Sequence, residues 1–187
     1  MIVQGIVHLL TGFDHLAFLL VALLAVARRR NASDSRPLHT AMLESLKVVT
    51  AFTVAHSITL TLSALGVVTL ASQPVEAAIA GTVFIAAISG FWKPSGFHGW
   101  PLAAAFGLVH GFGFAGALSQ LVGGQARAAA IGSFNFGIEV AQVAVALAMV
   151  PVLYWLTRKP KMARFVAPAI SGVVAVVAAM WVVERVV

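Results

Sequence analysis

Cysteine is absent from the chain, which excludes disulfides, thiolate-bound metals and thiol chemistry. Charge is scarce too, with 12 basic and 6 acidic side chains among 187 residues, against a 60% hydrophobic content and a mean hydropathy of +0.98. That balance lies outside the soluble globular class. Methionine is limited to Met1, Met42, Met149, Met162 and Met180, which share no helical spacing, so a thioether copper(I) site is disfavoured as well. No phosphate-cradling glycine loop is present, so nothing in the chain would couple it to ATP. The N-terminus lacks a basic leader, and its apolar run is long and carries ionisable groups. It reads as a retained helix rather than a cleavable signal peptide.

What is present is hydrocarbon in lengths that cross a bilayer, about 20 residues each. Six such stretches, at residues 3–27, 42–66, 74–92, 101–122, 128–156 and 165–183, predict an all-α polytopic integral membrane protein, a single transmembrane domain over 1–187. The basic residues report its topology. Arg28, Arg29, Arg30, Arg36, Lys47, Lys93, Arg158, Lys159, Lys161 and Arg164 gather on the loops of one side, leaving Arg127 and Arg185 on the other. The positive-inside rule then places both termini outside, on the periplasmic side of a bacterial inner membrane. The net charge of +6 is accounted for by this rim, with lipid rather than nucleic acid as its partner. A homo-oligomer is compatible with such a chain.

Ionisable groups inside the hydrocarbon are costly, about 2.5 to 3.5 kcal/mol each on the insertion scale, so each calls for a role. His8, Asp14 and His15 fall in the first predicted span, His56 in the second, Glu76 in the third, His110 in the fourth and Glu139 in the fifth. Imidazoles and carboxylates without thiolates suit divalent nickel, cobalt or zinc. On one helical face, the rise of about 1.5 Å per residue separates His8 from His15 by roughly 10 Å along the axis. Two stations are therefore expected: an outer one of His8 with Glu76, and a central one of His15, His56, His110 and Glu139, with Asp14 the least certain member. Asn135, Glu139 and Gln142 share one helical face, so Asn135 and Gln142, with Ser57 beside His56, are candidates to orient the ligands. Gly107 and Gly111 form a GxxxG on the helix of His110, expected to let a neighbouring backbone approach closely.

Two functions accommodate these groups. A metal permease needs ligands spread along a path and has no catalytic residues or resident cofactor. A membrane-embedded zinc hydrolase acting on a lipid or amide needs a compact site with one open position. The two-level distribution favours the permease.

At these residues the chain resembles the second branch of the HupE/UreJ family. The matching blocks are HLLTGFDHLAFLL from His8, TAFTVAHSITLTLSALGVV from Thr50, PVEAAIA from Pro74, AFGLVHGFGFAGAL from Ala105 and FNFGIEVAQ from Phe134. The resemblance implies a nickel or cobalt permease, with the ion as substrate, and points to His8, Asp14, His15, His56, Glu76, His110, Asn135 and Glu139. One departure is Leu9, which follows His8 where the better-known branch has proline.

Overall fold

The computed structural model describes residues 1–28, 36–89, 91, 99–114 and 127–187. Among the described residues the chain is all helix: α1 (Ile2–Thr11), α2 (Phe13–Ala27), α3 (Leu38–Ala64), α4 (Ser72–Ser89), α5 (Trp100–Gly111), α6 (Arg127–Arg158) and α7 (Pro160–Val186). Four stretches are long and apolar enough to cross a membrane, namely Leu38–Ala64, Ser72–Ser89, Ala128–Arg158 and Met162–Val186, and α1 with α2 would make a fifth if the bent pair counts as one. The inner turn expected over 93–100 and the outer turn at Gly123 and Gly124 fall largely or wholly outside the described residues.

Side-chain polarity is inverted relative to a soluble protein. Val173, Val176, Met180 and Val183 of α7 and Leu147, Val152 and Trp155 of α6 are exposed, whereas His15, His56, His110, Asn135 and Gln142 are buried. In water the exposed faces would forfeit the hydrophobic effect. In lipid they cost nothing, and the polar groups are turned inward, away from the hydrocarbon.

The first span departs from the expected single helix. At Gly12 the chain turns by 75° between α1 and α2, and the backbone there is extended, with φ −78° and ψ 93°. A side chain at this corner would crowd the bend, because a Cβ on Gly12 would lie 2.9 Å from both the His15 ring Nδ1 and the His8 carbonyl. Glycine is required for close approach here, not for an unusual φ.

Polar contacts identify the two ends of the bundle. At one end Arg158 Nη2 donates to the Arg36 carbonyl (2.9 Å), which also accepts the Tyr154 hydroxyl (2.7 Å), and Arg36 pairs with Glu44 at 2.7 Å. At the other, Arg185 of α7 reaches Asp14 of α2 and the Glu76 carbonyl of α4. Between the ends, small residues bring helix backbones together. Cβ atoms on Gly107 and Gly111 would overlap the carbonyls of Phe52 and His56, and the second would also strike the Thr59 hydroxyl. The expected close approach at this GxxxG is therefore α5 seated on α3. A reciprocal pair clamps α1 to α6: a Cβ on Gly5 would overlap the Phe134 carbonyl, and one on Gly137 the Ile2 carbonyl.

Candidate metal centre

The bend at Gly12 changes the geometry expected of the first block. Because α1 and α2 meet at an angle at this corner, the rings of His8 and His15 lie only 5.0 Å apart, centroid to centroid. The axial separation of an unbroken helix does not apply, and the assignment of these two histidines to successive levels is corrected by it. His15 is the hub of the group, with its ring 5.0 Å from His110 and 5.9 Å from His56. Helices α1, α2, α3 and α5 thus each deliver one imidazole to the same interior region. A nitrogen–metal bond of about 2 Å added to the ring radius puts the centroids of two rings sharing an ion up to about 6 Å apart. Each pair around His15 falls within that reach, although no group of three histidine or acidic side chains among the described residues is already arranged to hold one ion.

Hydrogen bonds settle which nitrogen of two rings is free. Asp14 Oδ1 accepts from the His15 backbone N–H (2.9 Å) and lies 3.0 Å from His15 Nδ1. A carboxylate only accepts, so the His15 proton sits on Nδ1 and the lone pair on Nε2. His110 Nε2 lies 2.9 Å from Thr82 Oγ1, and that hydroxyl is committed to the Ile79 carbonyl at 2.7 Å. Thr82 therefore accepts from His110 Nε2–H, leaving the lone pair on Nδ1. The atoms so freed, His15 Nε2 and His110 Nδ1, are buried without a hydrogen-bond partner, as are His8 Nε2 and both nitrogens of His56. Buried polar atoms are ordinarily satisfied. This concentration of unpartnered imidazole nitrogens is the arrangement expected where an ion supplies the missing bonds, and the donor set suits a divalent transition metal.

Asp14, the least certain member from sequence, is the carboxylate that joins the histidines directly. It holds the His15 ring on one side and lies 3.5 Å from Arg185 Nη2 on the other. Carboxylate–histidine pairing of this kind fixes both the tautomer and the orientation of a ligand. The remaining candidates lie apart from the rings. Glu76 is exposed at the start of α4, where its own carbonyl accepts from Arg185 at 3.0 Å. The contact expected between Glu76 and His8 is not among those of the described residues. Glu139 is half-buried on the α3–α6 seam, with Oε1 accepting from Thr50 (2.6 Å) and Oε2 buried without a partner. One turn further along, Gln142 Oε1 accepts from Thr53. Asn135 is buried with its Oδ1 unpartnered. Ser57 is half-buried, and none of the hydrogen bonds of the described residues ties it to the histidines.

Five contributors escaped the sequence reading. Thr82 sits 28 positions from His110, and a threonine in an apolar helix carries no distinguishing signal. Arg185 was assigned to topology alone. Thr50 and Thr53 lay in one of the matching blocks, but their partners on α6 are 89 positions away. Gly12 did carry a signal, because an isolated glycine in an apolar helix marks a potential break.

A family model described as HupE / UreJ protein matches the chain over residues 1–185. No curated protein matches, and no solved structure does.

Proposed function

Since the chain belongs to the HupE/UreJ family of nickel/cobalt transporter-like membrane proteins, transporters rather than enzymes, we propose that it is a permease carrying nickel or cobalt, or else zinc, inward through its buried histidines. The observation that carries this reading is the set of unpartnered nitrogens on His8, His15, His56 and His110 in a membrane interior where unsatisfied polar atoms are costly. The hydrolase alternative has no specific support beside it.

In this reading the whole chain is one transmembrane domain of six spans, the bent α1–α2 pair being the first and α5 with the residues that follow it the fourth. The end carrying Arg28, Arg36 and Arg158 faces inward, and both termini lie outside. A hydrated ion enters near Asp14 and Arg185, exchanges waters for imidazole nitrogens around His15, and leaves at the basic end. Glu139, with Asn135 and Gln142 near it, lowers the cost of the positive charge in transit. An inside-negative potential of 100 mV favours inward movement by about 2.3 kcal/mol per charge, roughly 4.6 kcal/mol for a divalent ion, so uptake requires no ATP. Metal binding also displaces protons from histidine, which offers a route to proton coupling.

The test is uptake of radioactive nickel, cobalt and zinc into proteoliposomes under an imposed potential. The native chain is expected to accumulate nickel or cobalt, His15→Ala to abolish both binding and uptake, and Glu139→Gln to slow uptake. A native protein that binds nickel stoichiometrically and moves none would refute the permease.

A further inference from the structure

A cavity of about 480 Å³ opens at the basic end, between α2, α3, α4 and α5. Glu44, Lys47 and Ser89 are its polar lining residues, and the rest of its wall is mostly apolar, with Ala22 and the larger Trp100 and Leu102 in it. It rises along α2 as far as Phe18. There it stops against a layer of buried aromatic rings. Phe18 stacks on Phe52 at 5.0 Å and meets Phe106 edge-on at 5.7 Å. The histidines begin directly behind this layer: the His110 ring lies 5.9 Å from Phe18 and 5.2 Å from Phe52, and His56 stacks on Phe52 at 5.9 Å. One aromatic layer thus separates the unpartnered nitrogens from a space open to the basic end.

The geometry points to Phe18 as the gate of the inward exit, with the cavity as the vestibule into which the ion is released. This inference rests on the permease reading of the histidines. An apolar constriction of this kind stops a hydrated ion by excluding its water, and conducts only when the ring moves aside. Of the three rings, Phe18 has room to move, since it lines the cavity. Phe52 does not, because its backbone is pressed against Gly107 and its ring lies between Phe18 and His56. Phe106 has only the edge of the layer. A swing of Phe18 towards Ala22 would uncover His110, whose free Nδ1 is the last imidazole lone pair before the vestibule.

The absence of native cysteine allows a direct test in the full-length protein. Ala22→Cys, reconstituted in liposomes, is treated with a membrane-impermeant cationic methanethiosulfonate applied to one face at a time. We expect reaction from the face carrying the basic loops only, and at least a tenfold loss of nickel uptake once the adduct fills the vestibule. Equilibrium binding of nickel to the labelled protein should stay within twofold of the unlabelled value. Phe18→Trp should slow uptake by a similar factor with binding retained, and Phe18→Ala should accelerate it severalfold. If the unlabelled protein takes up nickel, but labelling at Ala22→Cys occurs from the other face or leaves uptake unchanged, the gate is wrong and the permease stands. An unlabelled protein that binds nickel without transporting it refutes the permease, and the gate with it.

Discussion

Gly111→Ala and Gly132→Ala make the same chemical change in two helices and are expected to have opposite effects. Alanine in place of glycine alone favours folding by about 1 kcal/mol in a helix interior such as that of Gly132, and by less at Gly111, the last residue of α5. At Gly132, in the exposed first turns of α6, a Cβ meets nothing within 4 Å, so that gain is kept. At Gly111 the Cβ would overlap the His56 carbonyl and the Thr59 hydroxyl and come within 2.9 Å of the Leu60 nitrogen. Backbone atoms of a packed helix cannot rotate away, so α3 and α5 must separate. Overpacking of this kind costs about 1 to 3 kcal/mol, and an unyielding backbone puts Gly111 at the upper end. Net of that smaller gain, Gly111→Ala should lose about 2 to 3 kcal/mol, about 3 to 4 below Gly132→Ala, or about a hundredfold or more in the unfolding equilibrium. A functional effect should accompany it, because His56 and His110 ride on the two separated helices and metal–ligand distances tolerate only about 0.2 Å. The assay is reversible unfolding in mixed detergent micelles, paired with nickel binding by equilibrium dialysis. Equal stabilities for the two variants, or undiminished nickel affinity in Gly111→Ala, would refute the claim that the glycine seam sets the distance between the histidine-bearing helices.

Asp14→Asn keeps the shape of the side chain but removes the charge that holds His15, and nickel affinity should fall about 10- to 100-fold. Unchanged affinity by dialysis would mean that the carboxylate does not orient the ligand. Tyr154→Phe deletes one of two donors to the Arg36 carbonyl. Because Arg158 still satisfies that oxygen, the loss should be near 0.5 kcal/mol, the low end for a hydrogen bond, with uptake unaltered. A slowed uptake would place Tyr154 in the pathway after all.

Much of the site was legible because hydrocarbon makes polar residues conspicuous. His15, His56 and His110 could be singled out by their place inside apolar stretches, and the structure clusters them about His15. The GxxxG at Gly107 and Gly111 was readable for a related reason: in lipid, small residues at helical spacing have few uses beyond close packing. What could not be read was direction. Helix arithmetic separated His8 from His15 because it assumed continuity through Gly12, and a break reverses the conclusion while altering no other residue. Sequence also cannot show where a shared polar partner will come from. Arg185 and Thr82 are remote in the chain from the residues they hold, and Glu76, expected beside His8, stands exposed at the start of α4. The six-span count rests on apolar length alone. The 12 described residues of α5 fall short of that length, so the fourth span cannot be counted from them.

The ion pair between Asp14 and Arg185 has a consequence for how the protein is made. Asp14 leaves the ribosome early and Arg185 after every other residue of this network, since synthesis runs from the N-terminus. Until α7 has entered the bilayer and turned back beside α2, the Asp14 carboxylate lacks its cationic neighbour and His15 is held by an unbalanced charge. The surroundings of His15 are therefore completed only when α7 packs beside α2 and Arg185 balances the carboxylate that holds the ring.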